Sequence, residues 1–485
     1  MIYLLWALPT LVLALAVLSG RCSASIAAFL ALMTAVPVAL TTAPGDFAAN
    51  ELSVALLRGA WIGLTIAPYI LGGLLFWQLA AQPTRLPSET ASPLRDDLRT
   101  RRRMLFFACF LVGPFAEAAT GFGVGMLGTV ALLRHMNLPP ARLMVFALLS
   151  QTYIPWGAMG SGTMLAAAYA KMPATALASA SLVPVALLMI VWLPLFWRTA
   201  AGAGLSAPAS EHLGEIGWVA LCLGTLALVN AQLGPEIALI AAFGPLIVIR
   251  HLLDSRPSAA QIRQALARTW PYAALVGVLV LTRVFAPLRH ALAALATIAP
   301  YPDLPAWTPL LHAGSWLIAG AVAVAFARGE RGRLRQELPH TLKTAKTPVV
   351  TVFLFAMLAE VMSAAGISKA VAAGLFSSMG TLSLLAAPLI SVGLGVLTNS
   401  GSAANSLFMS SQVAMATQAH LAVSVSAALQ HVAGTSMSLY SPVRMAIAAN
   451  LTQGLGRERE VYVGLLPYAV ASMVVLSCVA AWVFF

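Results

Sequence analysis

Residues 397 to 405 place a run of small and polar side chains inside an apolar tract, and this run restricts the possible folds severely. It reads LTNSGSAAN. Lipid cannot hydrogen-bond the backbone groups that such a break frees, so the break must be enclosed by protein or face a watery cavity. A second break follows at 434 to 442, which is rich in glycine and hydroxyl residues. Together the two breaks predict a polar pocket at membrane depth, where the ends of half-helices attract anions.

The composition predicts a polytopic α-helical membrane protein. Of 485 residues, 60% are hydrophobic and 9% are charged, which leaves no material for a sizeable soluble domain. The net charge of +12 comes mainly from Arg and Lys in short loops between apolar runs, as the positive-inside rule requires. This distribution argues against a nucleic-acid partner. The four cysteines are scattered and no histidines cluster, so we predict no metal site, no disulfide framework and no cofactor.

Two apolar tracts, 104 to 170 and 383 to 450, carry two polar interruptions each. The first tract breaks at 117 to 123 and at 156 to 163, and the second at 398 to 405 and at 434 to 442. Paired interruptions at corresponding positions of two halves are typical of transporters built from repeats. Uninterrupted apolar windows long enough to span a bilayer fall at 2–19, 26–43, 60–82, 175–197, 214–231, 235–250, 270–286, 307–327, 348–365 and 462–485.

The charged loops predict that the two halves are inverted. Basic loops at 83–103 and 328–347 should both be cytoplasmic. The hairpin over 104–133 then opens from the cytoplasm and the hairpin over 383–416 opens from outside, with both termini periplasmic. A plain pair of spans in each tract remains an open alternative.

We therefore predict an all-α polytopic membrane protein with two inverted repeats, each holding a re-entrant hairpin and a broken transmembrane helix. The central spans are predicted to be scaffold helices that could also form a homodimer. The predicted units are N-terminal scaffold spans (1–82), a cytoplasmic basic loop (83–103), the hairpin and broken helix of repeat 1 (104–170), connecting and scaffold spans (171–327), a second cytoplasmic basic loop (328–347), the helix, hairpin and broken helix of repeat 2 (348–450) and a C-terminal span (451–485).

Two carboxylates lie deep in the predicted spans. Glu117 follows Arg103 by about 14 residues, which places it about 20 Å from the cytoplasmic face in a helix. A carboxylate at that depth is a candidate proton carrier, although it could instead cap backbone N–H groups of the hairpin. Glu360 lies equally far from Lys346, but a position near the outer interface is the simpler interpretation.

Two cationic or titratable residues lie in the second tract. Arg444, about 13 residues before Arg457, needs a partner at membrane depth. That partner is either the carboxylate of an anionic substrate or an internal Glu. His431 precedes the Gly434 break by one turn and either shuttles protons or packs as a neutral histidine. The predicted proton-coupling residues are thus Glu117 and His431.

The residues of the breaks suit a small hydroxylated carboxylate, although many of them must also satisfy freed backbone groups. No Walker loop, GxSxG triad order, HExxH or CxxC is present in the sequence, so we predict a protein that is not an enzyme. The predicted substrate-binding residues are Thr120, Gly121, Gly123, Gln151, Gly157, Ser161, Asn399, Ser400, Gly401, Ser402, Asn405, Thr435, Ser436, Ser441 and Arg444.

The breaks resemble those of one known family. Residues 117–123, EAATGFG, resemble the EGA-x-GFG signature of bacterial L-lactate permeases, and 397–408, LTNSGSAANSLF, resemble their LTGSDTSSNALF segment. Ser441-Pro442 with 446–448 resembles their ISPQSIA segment. The resemblance implies proton-coupled import of lactate or glycolate and an ion-transporter-type fold with inverted repeats and elevator motion.

Four positions depart from the family pattern, namely Gly401 for Asp, Ser438 for Lys, Val443 for Gln and Arg444 for Ser. We therefore expect rewired charge pairing. The predicted function is secondary active import of a small 2-hydroxy monocarboxylate (L-lactate, D-lactate or glycolate) with a proton across the bacterial inner membrane. Still open are a sodium-coupled or differently selective organic-anion transporter, an exporter, and a membrane scaffold or enzyme.

Overall fold

The computed structural model describes residues 2–80, 97–121, 123–255 and 257–484, and this part of the chain is almost entirely helical. An isolated antiparallel bridge joins Ile298 and Trp307. Within the described residues, nine helices are long and apolar enough to cross a membrane. The structure therefore confirms a polytopic helical membrane protein. Residues 83–96 of the predicted basic loop and Phe122 of the first break lie outside the described residues.

The N-terminal helices run in chain order up to residue 201. They are α1 (Ile2–Leu18), α2 (Ala24–Thr42), α3 (Ala49–Ala80), α4 (Leu98–Phe107), a π turn (Ala108–Val112), α5 (Gly113–Thr120), α6 (Val124–Leu133), α7 (Pro140–Leu149), α8 (Gly157–Ala170) and α9 (Ala174–Ala201).

The remaining helices run in chain order from residue 209 to residue 484. They are α10 (Ala209–Leu233), α11 (Pro235–Ser255), α12 (Ala259–Val284), α13 (Ala286–Leu295), α14 (Ala313–Ala327), α15 (Arg331–Ala364), α16 (Ile367–Met379), α17 (Ser383–Thr398), α18 (Gly401–Gln418), α19 (Val423–Met437), α20 (Pro442–Thr452) and α21 (Glu458–Phe484).

Helix α3 packs against α14 and α15 through glycines. A Cβ atom built on Gly72 would lie 2.6 Å from the carbonyl oxygen of Gly314, and one built on Gly59 would collide with the backbone of Met357. Small residues let helix backbones approach closely where lipid gives no hydrophobic driving force. These contacts join helices from both ends of the chain into one scaffold.

Basic residues near several helix ends contact other segments of the chain. Arg134 Nη2 donates to the carbonyl of Leu451 at 3.5 Å, and Arg328 Nη1 donates to that of Leu79 at 2.9 Å. Arg99 pairs with Glu211. The orientation of the chain in the membrane, which was derived from the charged loops, stays a prediction.

Several predicted boundaries change in the structure: α3 begins at Ala49 rather than 60, α12 begins at Ala259 rather than 270, and two further boundaries change as follows. Residues 331–347, predicted as a loop, form the first half of α15, because the basic segment is rich in good helix formers and continues directly into the apolar span. The span predicted to begin at 307 begins at Ala313. The segment before it is held by the bridge to Ile298 and by Trp316 Nε1, which donates to the carbonyl of Leu310 at 2.8 Å.

Candidate functional site

The first break separates α5 from α6. Gly121 has φ 73° and Gly123 has φ 82°, which is left-handed backbone that glycine adopts without steric cost. The chain reverses here, so that Gly125 in the first turn of α6 lies against the backbone of Gly113 in α5. The glycines of the EAATGFG segment thus make the predicted hairpin tip.

The second break separates α7 from α8 and is strained. Ala158, Met159 and Gly160 all have left-handed backbone, with φ values of 47°, 56° and 63°. Two consecutive non-glycine residues in this region cost energy and persist only where the surroundings hold them. A buried 3₁₀ turn, Ile154–Trp156, precedes them.

The third and fourth breaks repeat this arrangement in the second tract. Asn399, with φ 57°, ends α17, and α18 begins at Gly401. A 3₁₀ turn, Ser438–Tyr440, ends α19. Ser441 Oγ then caps α20 by accepting the backbone N–H of Arg444 at 3.1 Å.

Glycines show that the four breaks lie together. A Cβ atom built on Gly121 would lie 2.7 Å from that of Ala158, and one on Gly162 would lie 3.8 Å from Ser402 Oγ. A Cβ atom on Gly401 would collide with Thr435. Segments remote in sequence therefore enclose one another at a single place, as the sequence predicted.

Glu117 caps the start of α6. Its Oε1 accepts the backbone N–H of Gly123 at 3.3 Å and its Oε2 accepts that of Gly125 at 3.1 Å. The side chain of Gln151 also donates to Oε2, at 3.4 Å. Glu117 is 5% exposed, and its charge is favoured at a helix N-terminus. The capping interpretation therefore describes its contacts, and a proton-carrying role stays a prediction.

Arg444 contacts amides rather than a carboxylate. Its Nη1 donates to Gln151 Oε1 at 2.9 Å and its Nε donates to Asn399 Oδ1 at 3.0 Å. Ser441 Oγ donates to the same Asn399 oxygen at 2.8 Å. Among the described residues, no carboxylate forms an ion pair with Arg444. The predicted alternative of a direct pair with an internal Glu is therefore wrong there, because Gln151 stands between Arg444 and Glu117.

His431 is fully buried and bonded at both ring nitrogens. Its Nε2 lies 2.9 Å from Thr163 Oγ1 and its Nδ1 lies 2.9 Å from Asn405 Nδ2. Thr163 donates its own proton to the carbonyl of Pro155, so Nε2 is the donor to Thr163 and Nδ1 accepts from Asn405. This network suits a neutral imidazole that joins α8, α18 and α19.

The other predicted site residues differ in how their polar groups are used. The hydroxyls of Thr120 and Thr435 bond to backbone carbonyls one turn earlier, at 2.7 Å each. In the described part of the chain, Asn405 Oδ1 and Ser436 Oγ are buried without a hydrogen-bond partner. The predicted residues that remain lie half-buried at the breaks: Gly157, Ser161, Ser400 and Ser402.

Glu360 belongs to a separate cluster, here called the Arg58 cluster, with Arg58, Asp303 and Lys171. Arg58 donates to Glu360 at 2.8 Å and to both oxygens of Asp303, at 3.0 and 2.8 Å. Hydrogen bonding from Arg58 holds the pKa of the Asp303 carboxyl well below its usual range. Lys171 is the fourth member, 3.3 Å from Asp303. Sequence reasoning missed Arg58 because the predicted span begins at 60, whereas α3 begins at Ala49 and includes Arg58.

Fold and site together define a polytopic membrane protein whose broken helices enclose a polar centre. Residues 306–485 match the family described as L-lactate permease, and over these residues the family resemblance is confirmed. The match includes Asn399 and Arg444 and begins after Glu117 and Gln151. No curated protein matches the chain.

Proposed function

We propose that the protein is a secondary active transporter that moves a small 2-hydroxy monocarboxylate, L-lactate first, together with a proton. The observation that carries this proposal is the guanidinium of Arg444, which lies where four helix breaks meet and has only neutral side-chain partners among the described residues. The family match supports lactate as the substrate class.

Arg444 and the start of α18 are the proposed carboxylate site. A guanidinium binds a carboxylate through two parallel hydrogen bonds. Helix α18 begins at Gly401 without a side-chain cap, so its first N–H groups are free for an anion. The start of α6 serves the substrate less well, because Glu117 already occupies it.

The 2-hydroxyl group is assigned to two side chains with unused polar atoms. Asn405 Oδ1 can accept a hydrogen bond and Ser436 Oγ can donate or accept one. A buried polar atom without a partner costs free energy, so a ligand that supplies the partner gains affinity. A substrate without the hydroxyl should therefore bind less tightly.

Glu117 is the proposed proton carrier in preference to His431. Both ring nitrogens of His431 already bond to neutral side chains, Thr163 and Asn405, which suits a neutral imidazole held between helices. Glu117 has the Gln151 amide beside it, and this group can present either a donor or an acceptor.

Inverted repeats and elevator motion complete the proposal. Helices α3 to α9 and α15 to α21 follow the same order of long helix, hairpin, broken helix and long helix. Helix α18 of one hairpin packs against broken helix α8, and α6 of the other lies beside α20. The proposed scaffold is α3 with α14 and α15. The proposed location is the inner membrane, with the basic segments 83–103 and 328–347 cytoplasmic and both termini periplasmic.

Uptake of labelled L-lactate into proteoliposomes tests the function. We expect accumulation when the outside is made acidic, and none under a sodium gradient at equal pH. Uptake driven by a sodium gradient alone would show that sodium, and not a proton, is the coupling ion. The backbone at Asn399 and Gly157 would then be the candidate sodium site. No uptake under either gradient would contradict the substrate.

A further inference from the structure

We propose that Gln151 couples the proton on Glu117 to the anion at Arg444. Its amide turns over when Glu117 is protonated and thereby frees one arm of the arginine. This inference rests on the proposed function and concerns how the two ligands are bound together. Gln151 is a positioning residue in this role, because it acts through Arg444 and Glu117 rather than on the substrate.

The geometry gives Gln151 one contact to each partner. Its Nε2 donates to Glu117 Oε2 at 3.4 Å, and its Oε1 accepts from Arg444 Nη1 at 2.9 Å. The side chain is 1% exposed, so water does not compete for these bonds. The amide therefore forms a one-residue bridge from the first hairpin to the second broken helix.

Protonation of Glu117 changes what the bridge must supply. An ionised carboxylate only accepts hydrogen bonds, whereas a protonated one carries an O–H donor that needs an acceptor. The other two partners of Glu117 are the backbone N–H groups of Gly123 and Gly125, which cannot accept. Gln151 Oε1 is the acceptor left among these partners, and rotation of the terminal amide torsion brings it to Glu117.

The rotation frees the arginine. Once Oε1 faces Glu117, the NH₂ group of Gln151 faces Arg444 Nη1, and two donors cannot bond to each other. Arg444 then lacks an acceptor that a carboxylate can supply. Proton and anion therefore each favour the state that binds the other, which is a positive coupling between two sites.

Arg444 is the charged residue that faces Glu117 across this bridge. Helices α6 and α8, which pack against α5, contain no charged residues. On α3 and α11, which also pack against α5, the charged side chains and the histidine bond elsewhere: Glu51 to Ala48 N–H, Arg58 to Asp303 and Glu360, Glu236 to Arg283, Arg250 to Asp254, Asp254 also to Arg103, and His251 to Ser255. The other titratable groups on elements packed against α5 are Tyr69 beside Glu236, Tyr169, which accepts from Ser406 Oγ, and Cys109, which donates to the carbonyl of Phe146.

The test is the pH dependence of L-lactate binding to the purified full-length protein, measured by calorimetry between pH 5.5 and 8. If one proton binds with each lactate, the wild-type Kd rises by about tenfold per pH unit where Glu117 is ionised. Methionine fills the space of glutamine but bonds to neither partner. Gln151→Met should therefore lose the slope, to less than about twofold per pH unit.

Gln412→Met is the matched control. Gln412 is also a fully buried amide, on α18, and donates to Ser426 Oγ at 2.7 Å. It touches neither Glu117 nor Arg444, so its replacement should leave the slope unchanged. Equal flattening in both variants would attribute the effect to general loss of packing and overturn the inference.

Gln151→Asn keeps the test decisive if the methionine variant does not fold. Its amide is one methylene shorter and cannot bridge both partners, so the slope should flatten here as well. A wild-type slope in a folded Gln151 variant would overturn the coupling role, as would a wild-type Kd that does not change with pH. If the wild type binds no carboxylate, the proposed function itself fails, which is a different result.

Discussion

Two half-buried arginines in this molecule have opposite surroundings. Arg58, in the first half of α3, bonds to the carboxylates of Asp303 and Glu360. Arg444, where the helix breaks meet, bonds to the amides of Gln151 and Asn399. A cation matched by carboxylates is neutralised within the protein, and this arrangement is typical of a structural contact. A cation held by amides keeps its charge available, at a cost in desolvation that an anionic ligand can offset.

The largest expected difference separates Arg444→Gln from Arg58→Gln. Loss of Arg444 removes a charge-assisted bidentate contact, so lactate uptake should fall at least about 100-fold while the folded yield changes little. Loss of Arg58 leaves the Glu360 carboxylate without its partner and Asp303 paired with Lys171 alone, so it should lower the free energy of unfolding by about 2 kcal/mol, with uptake per folded molecule retained. Measurements of uptake and thermal stability on both variants check this prediction. Loss of uptake in Arg58→Gln together with loss of stability in Arg444→Gln would contradict the difference proposed between the two arginines.

The two buried carboxylates should differ in the same way. Glu117→Gln places a permanent amide donor where a protonated carboxyl would be, so accumulation driven by a pH gradient should fall at least about tenfold while lactate exchange continues. Glu360→Gln changes only the Arg58 cluster and should leave the dependence of uptake on the pH gradient intact. Parallel measurements of driven uptake and exchange separate the two. Gradient-driven uptake by Glu117→Gln would show that a group other than Glu117 carries the proton.

A smaller effect is expected at Gly401, where the family pattern has Asp. A Cβ atom there would collide with Thr435, whose Cα atom would be 3.0 Å away. Gly401→Ala should therefore destabilise the fold by about 1 to 3 kcal/mol. Gly393 on α17 has open space at its Cβ position, so Gly393→Ala is the matched control and should be nearly neutral. Equal melting temperatures would show that the close contact is absent.

The smallest effect concerns how the stability contributed by the Arg58–Asp303 pair depends on acidic pH. Because Arg58 lowers the pKa of Asp303, the stability from this pair is present above the unfolded pKa of about 4 and is lost as pH falls further. The Asp303 side chain is 42% exposed, so solvent screening limits the contribution to about 1 kcal/mol or less. Asp303→Asn should melt lower than the wild type at pH 7, and the difference should shrink progressively as the pH falls below about 4. A constant difference would contradict the pairing.

The sequence was most informative where the residue type itself restricts the backbone or requires a partner at membrane depth. Gly121 and Gly123 predicted the hairpin tip because positive φ favours glycine, and Arg444 was expected to lie deep and to need a partner. The bridge through Gln151 could not be predicted, because it depends on how 150–156 meets α20. Residues 331–347 were predicted to be a loop because the segment is basic, so their helical state was missed. The left-handed Ala158 and Met159 carry no signal in residue type.

Calorimetric titration of L-lactate into wild type and Arg444→Gln at acidic pH tests most directly whether the amide-held arginine is the anion anchor. We predict saturable binding to the wild type and a Kd at least about 100-fold weaker in the variant, with both proteins folded. Equal affinity for lactate in the two proteins would contradict the account.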